Sequence, residues 1–131
     1  MLRGGGFSVA VPSAWRSRAG GGLVAARSGP AAVSVRTFTL LKRYDPSRFA
    51  AAAKELDGIA AKLAAEAGTT LSESRTTTVD GRRIRAYSYD ATRIGFVLVG
   101  RREYQLLCRL GPGGADKDGA CALLFASFNA A

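Results

Sequence analysis

The stretch Tyr104-Gln-Leu-Leu-Cys-Arg-Leu110, followed after a Gly/Pro/Asp linker by Gly119-Ala-Cys-Ala-Leu-Leu-Phe-Ala-Ser-Phe128, decides how this chain closes. Its first half alternates. Tyr104, Leu106, Cys108 and Leu110 fall on one side of an extended strand. Its second half repeats at helical spacing. Cys121, Leu124, Phe125 and Phe128 form one stripe. Both cysteines therefore lie on apolar faces that can meet. A bonded pair, two buried thiols and a reactive pair all fit that placement. The spacing is not CxxC, so a thioredoxin-type motif is excluded. Two cysteines and no histidine cannot supply the four soft ligands of a structural zinc site. Of the three, a Cys108–Cys121 disulfide tying strand to helix is the expectation, and it implies an oxidising compartment.

Working outward, the strand Ile94–Val99 is apolar on both faces, which predicts a central position covered on both sides. Asp80-Gly81 before it is a hairpin signal. It joins a Thr-rich segment, Thr70–Val79, to Arg82–Tyr89. On the latter strand Arg83, Arg85, Tyr87 and Tyr89 share one face, while Ile84 and Ala86 share the other. Earlier still, Asp45-Pro46 reads as a helix start. Phe49, Ala53, Leu56, Ile59 or Ala60, Leu63 and Ala67 then make an apolar stripe that Gly68 ends. Upstream, Ala32–Leu41 and Leu23–Arg27 read as strands. Gly20-Gly21-Gly22 is a turn, not a phosphate loop, because neither GKS/T nor a helix follows. Phe7–Val11 alternates up to Pro12. Trp15 is expected to plug the core, with ligand stacking as the rarer role. Residues 1–5 read as a flexible lead-in to a domain over 6–131.

The expected order is β-β-β-α-β-β-β-β-α. This is an α+β class: a mainly antiparallel sheet with a helix on each face.

Composition narrows function more by exclusion than by assertion. The 131 residues suit one domain, and 47% hydrophobic with 22% charged residues is ordinary for a folded protein. The absence of histidine removes the commonest general base and metal ligand. Neither a nucleophile–base pair nor a carboxylate pair has a recognisable signature, so no catalytic residue, metal or cofactor is expected. No run is apolar for the ~20 residues of a membrane helix, and the first residues hold no leader-type apolar core. The net charge of +9, mostly arginine, fits an anionic partner. It equally fits GC-rich coding, which favours Ala, Gly and Arg together.

Phe7-Ser-Val-Ala-Val-Pro-Ser-Ala-Trp15 resembles the opening of the PsbP/Mog-like fold, where an alternating strand runs into Pro-x-x-Trp. The Asp80-Gly81 hairpin, the apolar strand Ile94–Val99, the Tyr104 strand and a terminal helix ending in Ser127-Phe128 follow in that family's order. The likeness spans roughly Gly6 to Asn129. It implies an antiparallel sheet between helices and a role in binding without turnover. Within the family, the chain is similar to small exported or lipid-anchored proteins of high-GC bacteria, including their late cysteine pair. The family's histidine metal sites have no counterpart here, and neither does the acidic surface of its Ran-binding branch.

Two binding roles follow as expectations. The first is a non-catalytic extracytoplasmic adaptor or accessory domain whose partner is another protein. The second is a polyanion-binding module, taking anionic lipid headgroups or cell-wall polymer through Arg75, Arg82, Arg83 and Arg85, with Tyr87 and Tyr89 as aromatic contacts. The rival to the second is a solvated strand face whose Arg stems cover apolar surface. A nucleic-acid partner is the weakest fit; it requires Met1 as a native start, free thiols and a cytoplasmic address.

Overall fold

Hairpin chemistry builds the main sheet. In the computed structural model, which describes residues 1–130, the segments Arg16–Gly20 (β3), Leu23–Ser28 (β4) and Ala31–Thr39 (β5) form a meander. Glu73–Val79 (β6), Arg82–Tyr89 (β7), Thr92–Val99 (β8) and Arg102–Arg109 (β9) form a second. The two join where β5 pairs with β9, giving the order β3-β4-β5-β9-β8-β7-β6, antiparallel throughout. At the Asp80-Gly81 turn both residues have positive φ, 53° and 70°. A two-residue primed turn requires this, and Asp and Gly tolerate it.

A three-stranded sheet packs beside it: Leu2–Gly4 (β1), Phe7–Val9 (β2) and Asn129–Ala130 (β10), in the order β1-β2-β10. Two expectations are corrected here. The lead-in of residues 1–5 contains a paired strand, with Leu2 opposite Val9 and Gly4 opposite Phe7. The fold has two antiparallel sheets and two helices, not one sheet and two helices. The glycine-rich sequence Leu-Arg-Gly holds no apolar alternation of its own. It is ordered by ladder bonds to β2, which a sequence pattern cannot display.

The first helix, Phe49–Glu66 (α1), is entered through a short 3-10 turn at Pro46–Arg48, where the Asp45 carboxylate accepts from Ser47 N at 2.9 Å. It buries Leu56, Ala60 and Ala64. Ala60 takes the stripe position left open between it and Ile59, which stays 46% exposed. These residues pack on Tyr87, Tyr89, Ile94 and Phe96. The second helix, Ala120–Ser127 (α2), lies against the opposite face, where Cys121, Leu124 and Phe128 join Val33, Val35, Ile84, Val97, Tyr104, Leu106 and Cys108. The strand β8 therefore serves two cores: Ile94 and Phe96 one, Val97 the other. Gly95 is what lets α2 approach β8. A Cβ there would sit 2.6 Å from Phe125 Cε1.

Cys108 and Cys121 are joined as a disulfide, with their Cα atoms 5.6 Å apart across 13 residues. It ties β9 to α2 inside the larger core. Trp15 is buried in that same core, and its Nε1 donates to Asp118 Oδ2 at 2.9 Å. It is a plug anchored at its polar end rather than a stacking surface.

Candidate basic surfaces on the two sheet faces

The alternation of β7 assigns its side chains to faces, and α1 decides what each face means. Arg83, Arg85, Tyr87 and Tyr89 point to the α1 side. Tyr87 and Tyr89 are buried there among Leu56, Ala60, Ala64 and Phe96, so neither is open to a ligand. The Tyr87 hydroxyl donates to the Asp57 carboxylate of α1. Arg85 Nε donates to the same oxygen at 3.1 Å and Nη1 to Thr76 Oγ1 at 3.2 Å. Burial pushes the Tyr87 hydroxyl up to about 12; the Asp57 hydrogen bond adds to this and Arg85 opposes it. The Arg83 guanidinium lies 4.2 Å above the Phe49 ring. These contacts tie the helix to the sheet.

Arg75 and Arg82 lie on the other face. The hairpin register sets Arg75 opposite Ala86, and Arg82 has the parity of Ile84. Arg82 pairs with Asp80, whose carboxylate also accepts from Ala130 N at 2.9 Å. Arg75 Nε is 3.7 Å from Glu73, both side chains well exposed. The four arginines expected to grip one anion thus divide two and two between opposite faces. Arg82 and Arg83, from opposite faces, both line a hollow of about 360 Å³ at the sheet end with Arg43, Tyr44 and Phe49. Arg101 and Arg102 hold backbone carbonyls: Arg101 those of Leu40 and Leu41, Arg102 that of Gly5 at 2.7 Å.

A different set of arginines is gathered by the register. Tyr87 is opposite Ile94, Ile94 opposite Leu107, Leu107 opposite Ser34, Ser34 opposite Ala25, and Ala25 opposite Arg18. Cross-strand partners share a face, so this row runs from beneath α1 to the far edge. The next rows place Arg16, Arg27, Arg36 and Arg109 on the same side. All five are exposed, and among the described residues none has a carboxylate within ion-pairing distance. Arg16 and Arg27 face each other directly across β3 and β4. A groove of about 400 Å³ lies here, with Arg16, Arg18 and Arg27 rising around Ala25, Ala32 and Ser34. Glu103 shares this side, opposite Phe38 and Leu98. Burial pushes its carboxyl above the usual range.

Sequence reading missed this surface because β3 is exposed along its whole length and shows no apolar face. The available signal was geometric. A turn at Gly21-Gly22 folds Arg16-Ser-Arg-Ala-Gly20 back on Leu23–Ser28 and aligns Arg16 and Arg18 with Arg27 and Ala25.

The fold and its basic face together define an α+β domain with two antiparallel sheets, half of one face of the larger being open. The chain is similar to a crystal structure of a protein from Bacteroides thetaiotaomicron VPI-5482, with a TM-score of 0.56 and 11% identity over 96% of this chain and 45% of that one. At that identity the likeness concerns the fold alone, and this chain spans less than half of that protein's length. No family profile and no curated protein matches the chain.

Proposed function

We propose that this is a non-catalytic binding domain of the PsbP/Mog-like kind, acting outside the cytoplasm, secreted or lipid-anchored, with another protein as its partner. The observation that carries the reading is the open half of the larger sheet. A solvated face needs no small, partly buried floor of Ala25, Ala32 and Ser34, and a core face would not carry five unpaired arginines. A floor of that kind rimmed by charge has the composition of a protein interface, apolar at the centre and polar at the edge. The Cys108–Cys121 disulfide supports the address, because such bonds persist where the environment is oxidising. No described helix is long and apolar enough to cross a membrane.

The second reading, a polyanion binder, draws on the net charge of +9 and on the same arginines, with Arg16, Arg18 and Arg27 replacing the strand face first expected. The experiment sets the two against each other. The disulfide-intact domain is immobilised and exposed to envelope extract, and separately loaded on heparin and on anionic liposomes at two salt concentrations. The protein reading predicts a stoichiometric protein complex stable to gel filtration, abolished by protease treatment of the extract. Steeply salt-sensitive retention on heparin or liposomes, with no protein complex, replaces it by the polyanion reading.

A further inference from the structure

We infer that the open half-face seats an amphipathic helix of the partner, its apolar stripe down and a carboxylate-bearing flank against Arg16, Arg18 and Arg27; this rests on the protein-binding reading above.

The open half-face has room for a helix. Seven strands at ~4.8 Å spacing span about 29 Å, whereas a packed helix occupies about 10 Å. On this face α1 meets β7 and β8 through Leu56, Ala60 and Ala64. The far strands β3, β4 and β5 carry no helix on this side. A second helix beside α1 would complete the layer.

The surface chemistry of the gap suits an apolar stripe. The floor of the gap is small: Ala25, Ala32 and Ser34 are partly exposed, and Leu107 borders it. Small side chains let a helix backbone come close. Asp57 of α1 bonds to β7, and Ile59 stands roughly 160° around the helix from it. Arg85, which bonds Asp57, also reaches Thr76 of the edge strand β6, so Asp57 marks the β6 flank of the buried Ala60 and the half-exposed Ile59 the opposite flank, turned towards the gap, a second apolar wall. A chain of phosphates would leave that wall and floor unused.

The charge on its rim suits carboxylates. Like charges directly opposite on neighbouring strands destabilise a sheet. The Arg16–Arg27 pair is such an opposition, with Arg18 two residues along β3. Carboxylates relieve it, and guanidinium forks bind them with two parallel hydrogen bonds. Residues two apart on a strand are ~6.8 Å apart. Residues four apart on one helix face are ~6 Å apart. A Glu pair at i and i+4 thus matches Arg16 and Arg18.

The test uses two synthetic peptides of equal composition, a Leu/Ala amphipathic helix with one glutamate flank and its scrambled isomer, together with long-chain inorganic polyphosphate. Binding is followed by NMR shift perturbation and by circular dichroism. The amphipathic peptide should gain helicity on binding and shift the amides of Ala25, Ala32 and Ser34. Its affinity should fall about tenfold in Arg18→Glu/Arg27→Glu, whose melting temperature should not fall below the parent's, because both side chains are exposed and the change at Arg27 removes the like-charge opposition with Arg16. Ser34→Arg, which fills the floor and adds positive charge, should weaken it as well. Equal binding of the scrambled peptide, stronger binding of polyphosphate, shifts confined to other surfaces, or no binding of either peptide at low salt each overturn the inference. A protein complex in envelope extract that survives Arg18→Glu/Arg27→Glu would leave the protein-binding reading standing while removing this surface from it.

Discussion

Opening the Cys108–Cys121 link should remove about 3 kcal/mol of stability. The bond closes a loop whose ends are 13 residues apart. The chain-entropy relation for a loop of that size gives about 10 cal/mol/K, or about 3 kcal/mol at room temperature. The native structure offers little to offset it. Both cysteines are buried, and the segment between them stays anchored without the bond, through buried Leu110 and Ala120, the Trp15–Asp118 hydrogen bond and the Lys117–Ser28 hydrogen bond. The released unfolded chain therefore gains freedom that the native state does not. In a chain of this length the loss corresponds to a fall in melting temperature of roughly 10–15 °C. The perturbation is Cys108→Ala/Cys121→Ala, followed by urea denaturation and by thermal scans with and without reductant. The parent should move towards the variant when reduced, and the variant should not respond. The unreduced parent should offer no alkylatable thiol in mass spectrometry. Two alkylatable thiols in that sample, or a variant as stable as the parent, would refute the reasoning and remove the support for an oxidising compartment.

Gly95→Ala should destabilise by about 1–3 kcal/mol in denaturant titration, because its Cβ would meet Phe125 at 2.6 Å and Ile84 at 3.2 Å. Asp57→Ala should cost about 1–2 kcal/mol, since it strips the acceptor from both the Tyr87 hydroxyl and Arg85. Burial holds the Tyr87 proton up to about 12 in the folded chain, above the ordinary tyrosine value of about 10, so the folded state binds more protons in that interval. Stability should therefore fall as pH rises from 10 towards 12, and phenolate absorbance should show one tyrosine titrating late unless the chain unfolds first. Asp118→Ala should leave the Trp15 indole N–H without its partner, lowering stability by about 1 kcal/mol and shifting tryptophan fluorescence.

Local chemistry carried much of the fold. The alternation of Tyr104–Leu110 placed Cys108 inward, and the helical stripe of Cys121, Leu124 and Phe128 placed its partner inward. The double-sided apolarity of Ile94–Val99 reported two cores before either was visible. These succeed because burial is imposed residue by residue with the period of the element. Besides the wholly exposed Arg16–Gly20, two short strands, Leu2–Gly4 and Asn129–Ala130, escaped for the opposite reason. They are held by ladder bonds to β2, and backbone pairing leaves no mark on side-chain pattern.

The sequence by itself determined that Arg83, Arg85, Tyr87 and Tyr89 share a face, because a strand has a period of two. Only the tertiary structure decided that α1 roofs that face, turning expected ligand contacts into a Tyr87–Asp57–Arg85 clamp. It also decided where unpaired charge collects. Arg16, Arg18, Arg27, Arg36 and Arg109 come from four strands, far apart in the chain, and they meet only through the register of β3, β4, β5 and β9. Helix and strand periods are local properties that a sequence displays. The covering of one face and the opening of another depend on which distant elements pack together, and that depends on the whole chain.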